Sequence, residues 1–213
     1  MGEKAFYNSG VIVANFPELL IVPKNAFANC RNLKSANFQK AETIESSAFD
    51  YCNVLESIEL PEVTKLNADA LSDCRKLKRV VLPKVTTLSG YNIMSNCFNL
   101  LVVDFHSYAG SFDSQLFYND YSLKAIILRS ETMVTLANAS SVFANCYHMS
   151  GTYNATYNPY SYKDGVILVP RSIIDTYRKT TNWSQYGTQF RVLEDVTVDG
   201  TIMGELDTTK III

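Results

Sequence analysis

The feature that most constrains this chain is an amino-acid pattern that returns every 22 to 26 residues. It is clearest in residues 48–61, which read Ala-Phe-Asp-Tyr-Cys-Asn-Val-Leu-Glu-Ser-Ile-Glu-Leu-Pro, and related segments begin at Ala26 and Ala70. Further copies follow at steps of 23, 23 and 26 residues, around Met94, Phe117 and Phe143. One short copy cannot bury its own apolar side chains, but stacked copies share a continuous core. The periodicity therefore predicts a solenoid.

The spacing within one copy predicts which side chains point inward. Ile58 and Leu60 are two residues apart, the period of a strand with one buried face, so Ser57 and Glu59 should point outward. In Ala-Phe-x-x-Cys the aromatic residue and the cysteine are three apart, which favours a short helical turn with both on one side. We therefore expect one short strand and one helical turn in each coil.

The first copy is shortened and begins near Ala5, and the last ends near Thr152, so about seven coils of 22 to 26 residues are expected. Stacked strands from successive coils should form a parallel strand face. The predicted fold class is thus an α+β solenoid, a right-handed leucine-rich-repeat superhelix.

The C-terminal part of the chain should close the solenoid. An open end exposes apolar side chains and unpaired strand groups, which favours aggregation unless a cap covers them. Pro170 can start a helix, and Trp183, the only tryptophan, and Phe190 would complete the cover. A ligand platform built on Trp183 is the alternative interpretation.

The expected domain is residues 1–194, of which about 153–194 form the cap. Residues 195–213 form a separate tail, in which an Asp-Gly pair favours a β-hairpin. Met1 leads straight into the first degenerate repeat without a signal-peptide pattern, so we expect either a mature fragment or a recombinantly expressed part of a protein.

The five cysteines do not favour a metal or catalytic site. They form no Cys-x-x-Cys pair, and the chain has only two histidines. Neighbouring coils lie about 4.8 Å apart, but stacked side chains point in parallel, whereas a disulfide needs convergent geometry. We therefore predict a buried ladder of free thiols. Asp120 stands where a cysteine is expected and would be costly unless it caps backbone N–H groups.

Composition excludes several other classes. The net charge of −2 gives no basic footprint for nucleic acid, and no run of eighteen apolar residues predicts a membrane span. The sequence contains no Gly-x-Ser-x-Gly, no phosphate-binding glycine loop and no His-Glu-x-x-His. No cofactor, metal or catalytic residue is predicted.

The repeated Ala-Phe-x-x-Cys-x-x-Leu-x-x-Ile-x-Leu-Pro pattern resembles the BspA-type leucine-rich repeats of bacterial surface and secreted proteins. Residues 164–170, Asp-Gly-Val-Ile-Leu-Val-Pro, resemble the segment that often follows such repeats. The resemblance covers roughly residues 5–194. It implies adhesion and protein binding outside the cell or on its surface, with no catalytic residues.

Two surfaces are candidates for binding a partner. The strand face should expose polar, charged and apolar side chains side by side, although an ordinary solvated sheet is the alternative. Its candidate residues are Asn37, Ser57, Glu59, Arg79, Val81, Val102, Asp104 and Ile127.

The second candidate is a tyrosine-rich insertion in the last coil. Tyrosine offers a large amphipathic contact area at low entropic cost, which suits a protein or sugar contact. A loop folded onto the edge of the solenoid is the alternative. The residues are Tyr153, Tyr157, Tyr160 and Tyr162.

The function predicted from these features is a non-enzymatic, extracellular or cell-surface binding module. Its partner would be a protein or glycan, including one from a host, and not nucleic acid. A structural spacer in a larger assembly, such as a phage tail or surface layer, is the second hypothesis. A carbohydrate-active enzyme is the third hypothesis, because sequence spacing alone would not reveal its pair of catalytic carboxylates.

Overall fold

The computed structural model describes residues 1–113, 115–150 and 163–195, and these form a parallel β-solenoid of about seven turns. Each regular coil contributes two short strands, one on each of two faces. The strands are β1 Val13–Asn15, β2 Ile21–Val22, β3 Ser35–Asn37, β4 Thr43–Ile44, β5 Ser57–Glu59, β6 Lys65–Asn67, β7 Arg79–Leu82, β8 Thr87–Ser89, β9 Val102–Phe105, β10 Ser111–Phe112, β11 Ala125–Leu128, β12 Thr135–Leu136, β13 Val166–Val169 and β14 Phe190–Val192.

All strand pairs are parallel and connect successive coils. The odd-numbered strands and β14 form the strand face, which consists of a three-stranded sheet β1-β3-β5 and a five-stranded sheet β7-β9-β11-β13-β14. The second face carries the sheets β2-β4-β6-β8 and β10-β12. Ala14 pairs with Ala36 and Ala36 with Ile58, so the repeat period sets the register.

The inward-facing positions predicted from the spacing form one continuous core. Leu77, Val80 and Leu82 are fully or almost fully buried, and Ser57 is exposed, which confirms the inside–outside assignment. In the first coils the core is aromatic, because the Phe27 ring stacks on Phe6 at 5.1 Å and on Phe49 at 5.4 Å between ring centroids.

The expected helical turn is wrong for most coils. Among the described residues of the repeats, helices occur only in the seventh coil, as α1 Ala139–Val142 and α2 Tyr147–Ser150. The earlier coils have consecutive turns. Asn25 and Asn29 illustrate the reason, since both adopt left-handed conformations with φ of 56° and 62°. Alternate N–H groups then point along the solenoid axis, and Phe27 N–H donates to the Ala48 carbonyl at 2.8 Å.

A side-chain ladder runs beside these turns. Asn145 donates from Nδ2 to Asn119 at 2.8 Å, Asn119 donates to Asn96 at 2.8 Å, and Asn96 donates to Asp73 at 3.1 Å. Each of these residues has a positive φ, which asparagine and aspartate tolerate better than other side chains. The turn side is therefore held by backbone and amide hydrogen bonds between coils.

The cysteines are five buried free thiols, as the spacing predicts. Each sulfur lies against a carbonyl of the preceding coil, as when Cys52 Sγ donates to Phe27 O at 3.2 Å and Cys97 Sγ to Leu71 O at 3.2 Å. Asp120 is fully buried in this ladder and accepts from Cys97 N–H at 2.8 Å. Burial raises the pKa of the Asp120 carboxyl well above its usual range.

The C-terminal end of the solenoid is capped. Met149 lies in α2, and β13 continues the sheet next to β11. Helix α3 spans Ile174–Lys179, followed by 3₁₀-helices at Ser184–Tyr186 and Leu193–Asp195.

Trp183 is a structural lid and not a ligand platform, because it is fully buried. Its Nε1–H donates to the Val134 carbonyl at 2.8 Å, and the Tyr177 hydroxyl accepts from Val134 N–H at 2.8 Å. These two bonds fix the cap to the last regular coil.

The predicted tail hairpin and the tyrosine-rich insertion lie outside the described residues. The boundaries of the domain and its tail therefore stay predictions. Within the described ranges, no helix is long and apolar enough to cross a membrane.

Candidate binding groove on the strand face

The strand face is interrupted between the third and fourth coils. A backbone N–H just before each face strand usually donates to the equivalent carbonyl of the preceding coil, as Glu56 does to Lys34 at 2.9 Å and Leu101 to Lys78 at 2.8 Å. The same bond joins Lys34 to Ile12, Lys124 to Leu101, and Val166 to Lys124. The equivalent bond from Lys78 to Glu56 is not formed, and β5 does not pair with β7.

The other two sides of the same two coils stay joined. On the turn side, Phe49 N–H donates to Ala70 O at 3.0 Å and Tyr51 N–H donates to Ser72 O at 3.1 Å. On the second face, β6 pairs with β8. The opening is therefore confined to the strand face, where it forms a wedge between two coils.

A groove with a volume of about 480 Å³ occupies this opening. Its floor is apolar and includes Ile58, the inward-facing residue of β5, which is partly exposed although its register partner Ala36 is buried. Its lining residues are Gln39, Glu56, Ser57, Ile58, Glu59, Leu60, Pro61, Lys78, Arg79, Val81 and Pro83.

The two walls of the groove carry opposite charges. Glu56 and Glu59 lie on the wall of the third coil, whereas Lys78 and Arg79 lie on the wall of the fourth. Gln39 donates from Nε2 to Glu59 Oε2 at 2.6 Å, which holds that carboxylate in place. The groove thus combines an aliphatic floor with an acidic and a basic rim.

A buried ion cluster supports the basic wall. Asp104 is almost fully buried and accepts two hydrogen bonds of 2.9 Å from Arg129, from Nε and Nη2. Arg79 Nη2 lies 3.8 Å from the same carboxylate, and His106 Nε2 lies 3.6 Å from it. The hydrogen bonds to Asp104 raise the pKa of Arg129, since they favour the charged guanidinium. Asp104 therefore positions arginines and is not a surface contact.

The structure brings together only part of the predicted strand-face set. Ser57, Glu59, Arg79 and Val81 line the groove, and Asn37 lies beside it in a shallower depression of about 250 Å³. There, Asn37 is linked to Gln39 by a 2.8 Å hydrogen bond.

The exposure predicted for Val102, Asp104 and Ile127 is wrong. Val102 and Ile127 belong to a second apolar cluster with Ala125, Val166 and Leu168, which lies on the outer surface of the five-stranded sheet. Leu101 and Leu193 pack against this cluster. Strand β13 thus brings apolar groups to a face that the repeats alone would leave in water.

Sequence reasoning missed several lining residues. The spacing of Ile58 predicts a core position. Nothing in the sequence distinguishes Lys78, Pro61 and Pro83 from the same positions of other coils. The four predicted tyrosines, Tyr153, Tyr157, Tyr160 and Tyr162, lie outside the described residues.

The chemistry of the groove suits binding. In the part of the chain that the structure describes, no group of three or more histidine, cysteine or acidic side chains could hold a metal ion. An apolar centre surrounded by a polar rim is the usual anatomy of a protein-binding surface.

Comparisons with known proteins agree with this architecture. The sequence matches the BspA type leucine rich repeat region in six copies, over residues 1–124 and 42–157. No curated protein matches the chain.

Two solved structures share the fold at low sequence identity. A leucine rich cell surface protein from Faecalibacterium prausnitzii is 23% identical over 69% of this chain, with a TM-score of 0.56. The pneumococcal vaccine antigen PcpA is 18% identical over 86% of this chain, with a TM-score of 0.57. The chain spans 40% of the length of each of them. Because the repeat match extends over most of the sequence, the chain belongs to the BspA-type leucine-rich-repeat family.

Proposed function

We propose that this chain is a non-enzymatic binding module that works outside the cell or at its surface and takes a protein ligand in the strand-face groove. The observation that carries the proposal is the wedge between β5 and β7, where an inward-facing aliphatic side chain is partly exposed between charged walls. A spacer needs no such opening, since uninterrupted stacking would hold its coils together.

The lining favours a protein over a glycan at this site. None of the described residues that line the groove is aromatic, so this part of the lining offers no ring on which a sugar could stack. Aliphatic side chains and proline instead supply an apolar centre of the kind that protein interfaces bury. The surface location is supported by the similarity to the cell surface protein from Faecalibacterium prausnitzii.

A binding screen tests the proposal. The full chain is presented to panels of extracellular matrix proteins and glycans, and any partner is titrated against Val81→Glu, which places a carboxylate in the groove. Asn15→Glu is the matched control, because Asn15 occupies the corresponding outward position of the first coil. We expect Val81→Glu to weaken binding of a protein partner at least about tenfold, with an unchanged melting temperature.

Two results would contradict the proposal. Equal binding by Val81→Glu and the wild type would place the site elsewhere on the molecule. Turnover of a glycan or peptide by the purified chain would exclude a purely binding role.

A further inference from the structure

We infer that the part of the ligand held in the groove is a short extended peptide segment, with an aliphatic side chain flanked by residues of opposite charge. This inference rests on the proposed function and specifies its ligand. It is carried by three features of the groove: its backbone edges, its floor and its walls.

The backbone edges favour an extended segment. β5 is the last strand of the three-stranded sheet and β7 is the first strand of the five-stranded sheet, so both present edges to the groove. No hydrogen bond joins the Glu56 carbonyl to Lys78 N–H, the pair that would close the ladder. Extended peptides bind exposed sheet edges through main-chain hydrogen bonds, while pockets beside the edge select their side chains.

The groove also limits the length of the segment. Pro61 and Pro83 border one end of it, and proline has no N–H with which to continue a ladder. Pairing along β5 is thus restricted to residues 56–60. A volume of about 480 Å³ is in the range of pockets that hold a small ligand, which suits a few side chains and not a folded domain.

The floor selects an aliphatic side chain. Ile58 points toward the core but is partly exposed, whereas Val80 at the equivalent position of the next coil is buried. An aliphatic side chain of the ligand would cover Ile58 and remove its apolar surface from water, which is favourable. A polar side chain there would lose hydrogen bonds to water without replacement.

The walls select charges on either side of this anchor. Glu56 and Glu59 attract a basic side chain, and Lys78 attracts an acidic one on the opposite wall. Glu59 and Lys78 are both exposed, so their charges can be exchanged without burying an unpaired group. Complementary charges of this kind set register and specificity more than affinity.

Selection from a random heptapeptide phage library on the full chain tests the inference. We expect enrichment of peptides in which an aliphatic residue lies between a basic and an acidic residue. A synthetic consensus peptide should bind Glu59→Lys/Lys78→Glu at least about tenfold more weakly than the wild type. The same peptide with its two charges exchanged should bind this double variant better than it binds the wild type.

The control exchanges the charges of an exposed ion pair outside the groove, Glu18→Lys/Lys40→Glu. It should bind the consensus peptide like the wild type. Failure to enrich any peptide, or equal binding by the two double variants, would overturn the inference. In either case a protein partner that is sensitive to Val81→Glu would leave the proposed function standing.

Discussion

Replacing Asp120 should stabilise this protein, because the residue interrupts the buried cysteine ladder with a carboxyl group. Its Oδ1 accepts from Cys97 N–H at 2.8 Å, whereas its Oδ2 is buried without a hydrogen-bond partner. At the equivalent position of the next coil, Cys146 Sγ donates to the Phe117 carbonyl. A thiol fits this environment, and a carboxyl group leaves one polar atom unsatisfied.

Two substitutions separate the charge from the unsatisfied atom. The buried unsatisfied oxygen destabilises the folded state by about 1–3 kcal/mol, and Asp120→Cys removes this cost. The substitution also removes the acceptor of the Cys97 N–H, a hydrogen bond that stabilises the fold by about 1 kcal/mol. The net gain should be about 1 kcal/mol when the carboxyl group is protonated. For a domain of this size that corresponds to a rise in melting temperature of about 2–4 °C. Asp120→Asn keeps the acceptor for Cys97 and removes only the ionisation.

The pH dependence follows from the raised pKa of Asp120. The folded state binds the carboxyl proton more tightly than the unfolded state, whose pKa is about 3.9, so this group supports folding most at low pH. The support is lost as pH rises from about 4 toward the folded pKa, by up to about 1.4 kcal/mol for each pH unit. Asp120→Asn should therefore unfold like the wild type at pH 4 and become progressively more stable than it toward pH 8.

Urea unfolding followed by circular dichroism from pH 4 to pH 8 measures these differences. Asp113→Asn is the control, because Asp113 is exposed in the same coil. Parallel stability profiles for Asp120→Asn and the wild type would refute the reasoning, since they would mean that Asp120 titrates alike in both states. A lower stability of Asp120→Cys at every pH would show that its hydrogen bond to Cys97 outweighs the unsatisfied oxygen.

Three further predictions concern the core, the thiols and a second carboxyl group. Leu77→Asp buries an unpaired carboxylate at a cost of several kcal/mol and should unfold the array, whereas exposed Ser57→Asp should change stability by less than about 0.5 kcal/mol in thermal melts. Alkylation of the cysteines should be slow in the native protein, because burial raises the pKa of Cys74, Cys97 and Cys146. After denaturation and alkylation without reductant, mass spectrometry should count five modified thiols, and any disulfide would contradict the ladder of free thiols. Burial, followed by the charges of Asp69 and Asp73, raises the pKa of Asp50 to about 7, so the fold should lose stability as pH rises toward 7. Asp50→Asn should reduce this loss, which urea unfolding at pH 5 and pH 8 measures.

The strand positions were predictable because a two-residue period leaves one choice of buried face. Leu60 and Val80 are buried as their spacing requires, and Trp183 covers the end of the solenoid as a cap residue should. The turn conformation was not predictable in the same way. A three-residue spacing places Phe49 and Cys52 on one side in a helix, but tight turns satisfy it as well, and here the left-handed residues turn N–H groups toward the next coil.

The outer surface was harder to predict, because it depends on segments far apart in the chain. Val102 and Ile127 alternate with inward residues in an ordinary strand pattern, which predicts exposure. They are buried because β13, which begins about forty residues after β11, and Leu193 contribute to the same outer cluster. No local pattern at Val102 or Ile127 contains that information.

The groove illustrates why a site in a repeat array is found where the array departs from its own rules. Each side of a coil is bonded to the next coil independently, so the strand face can open between Glu56 and Lys78 while the turn side and the second face stay joined. Opening one side sacrifices few hydrogen bonds, yet it exposes backbone edges and the inward-facing Ile58 together. A regular coil never presents both at once, because stacking satisfies the edges and buries the inward residue. The residues of the third and fourth coils follow the same repeat as their neighbours, which is why the opening is visible in the structure but not in the sequence.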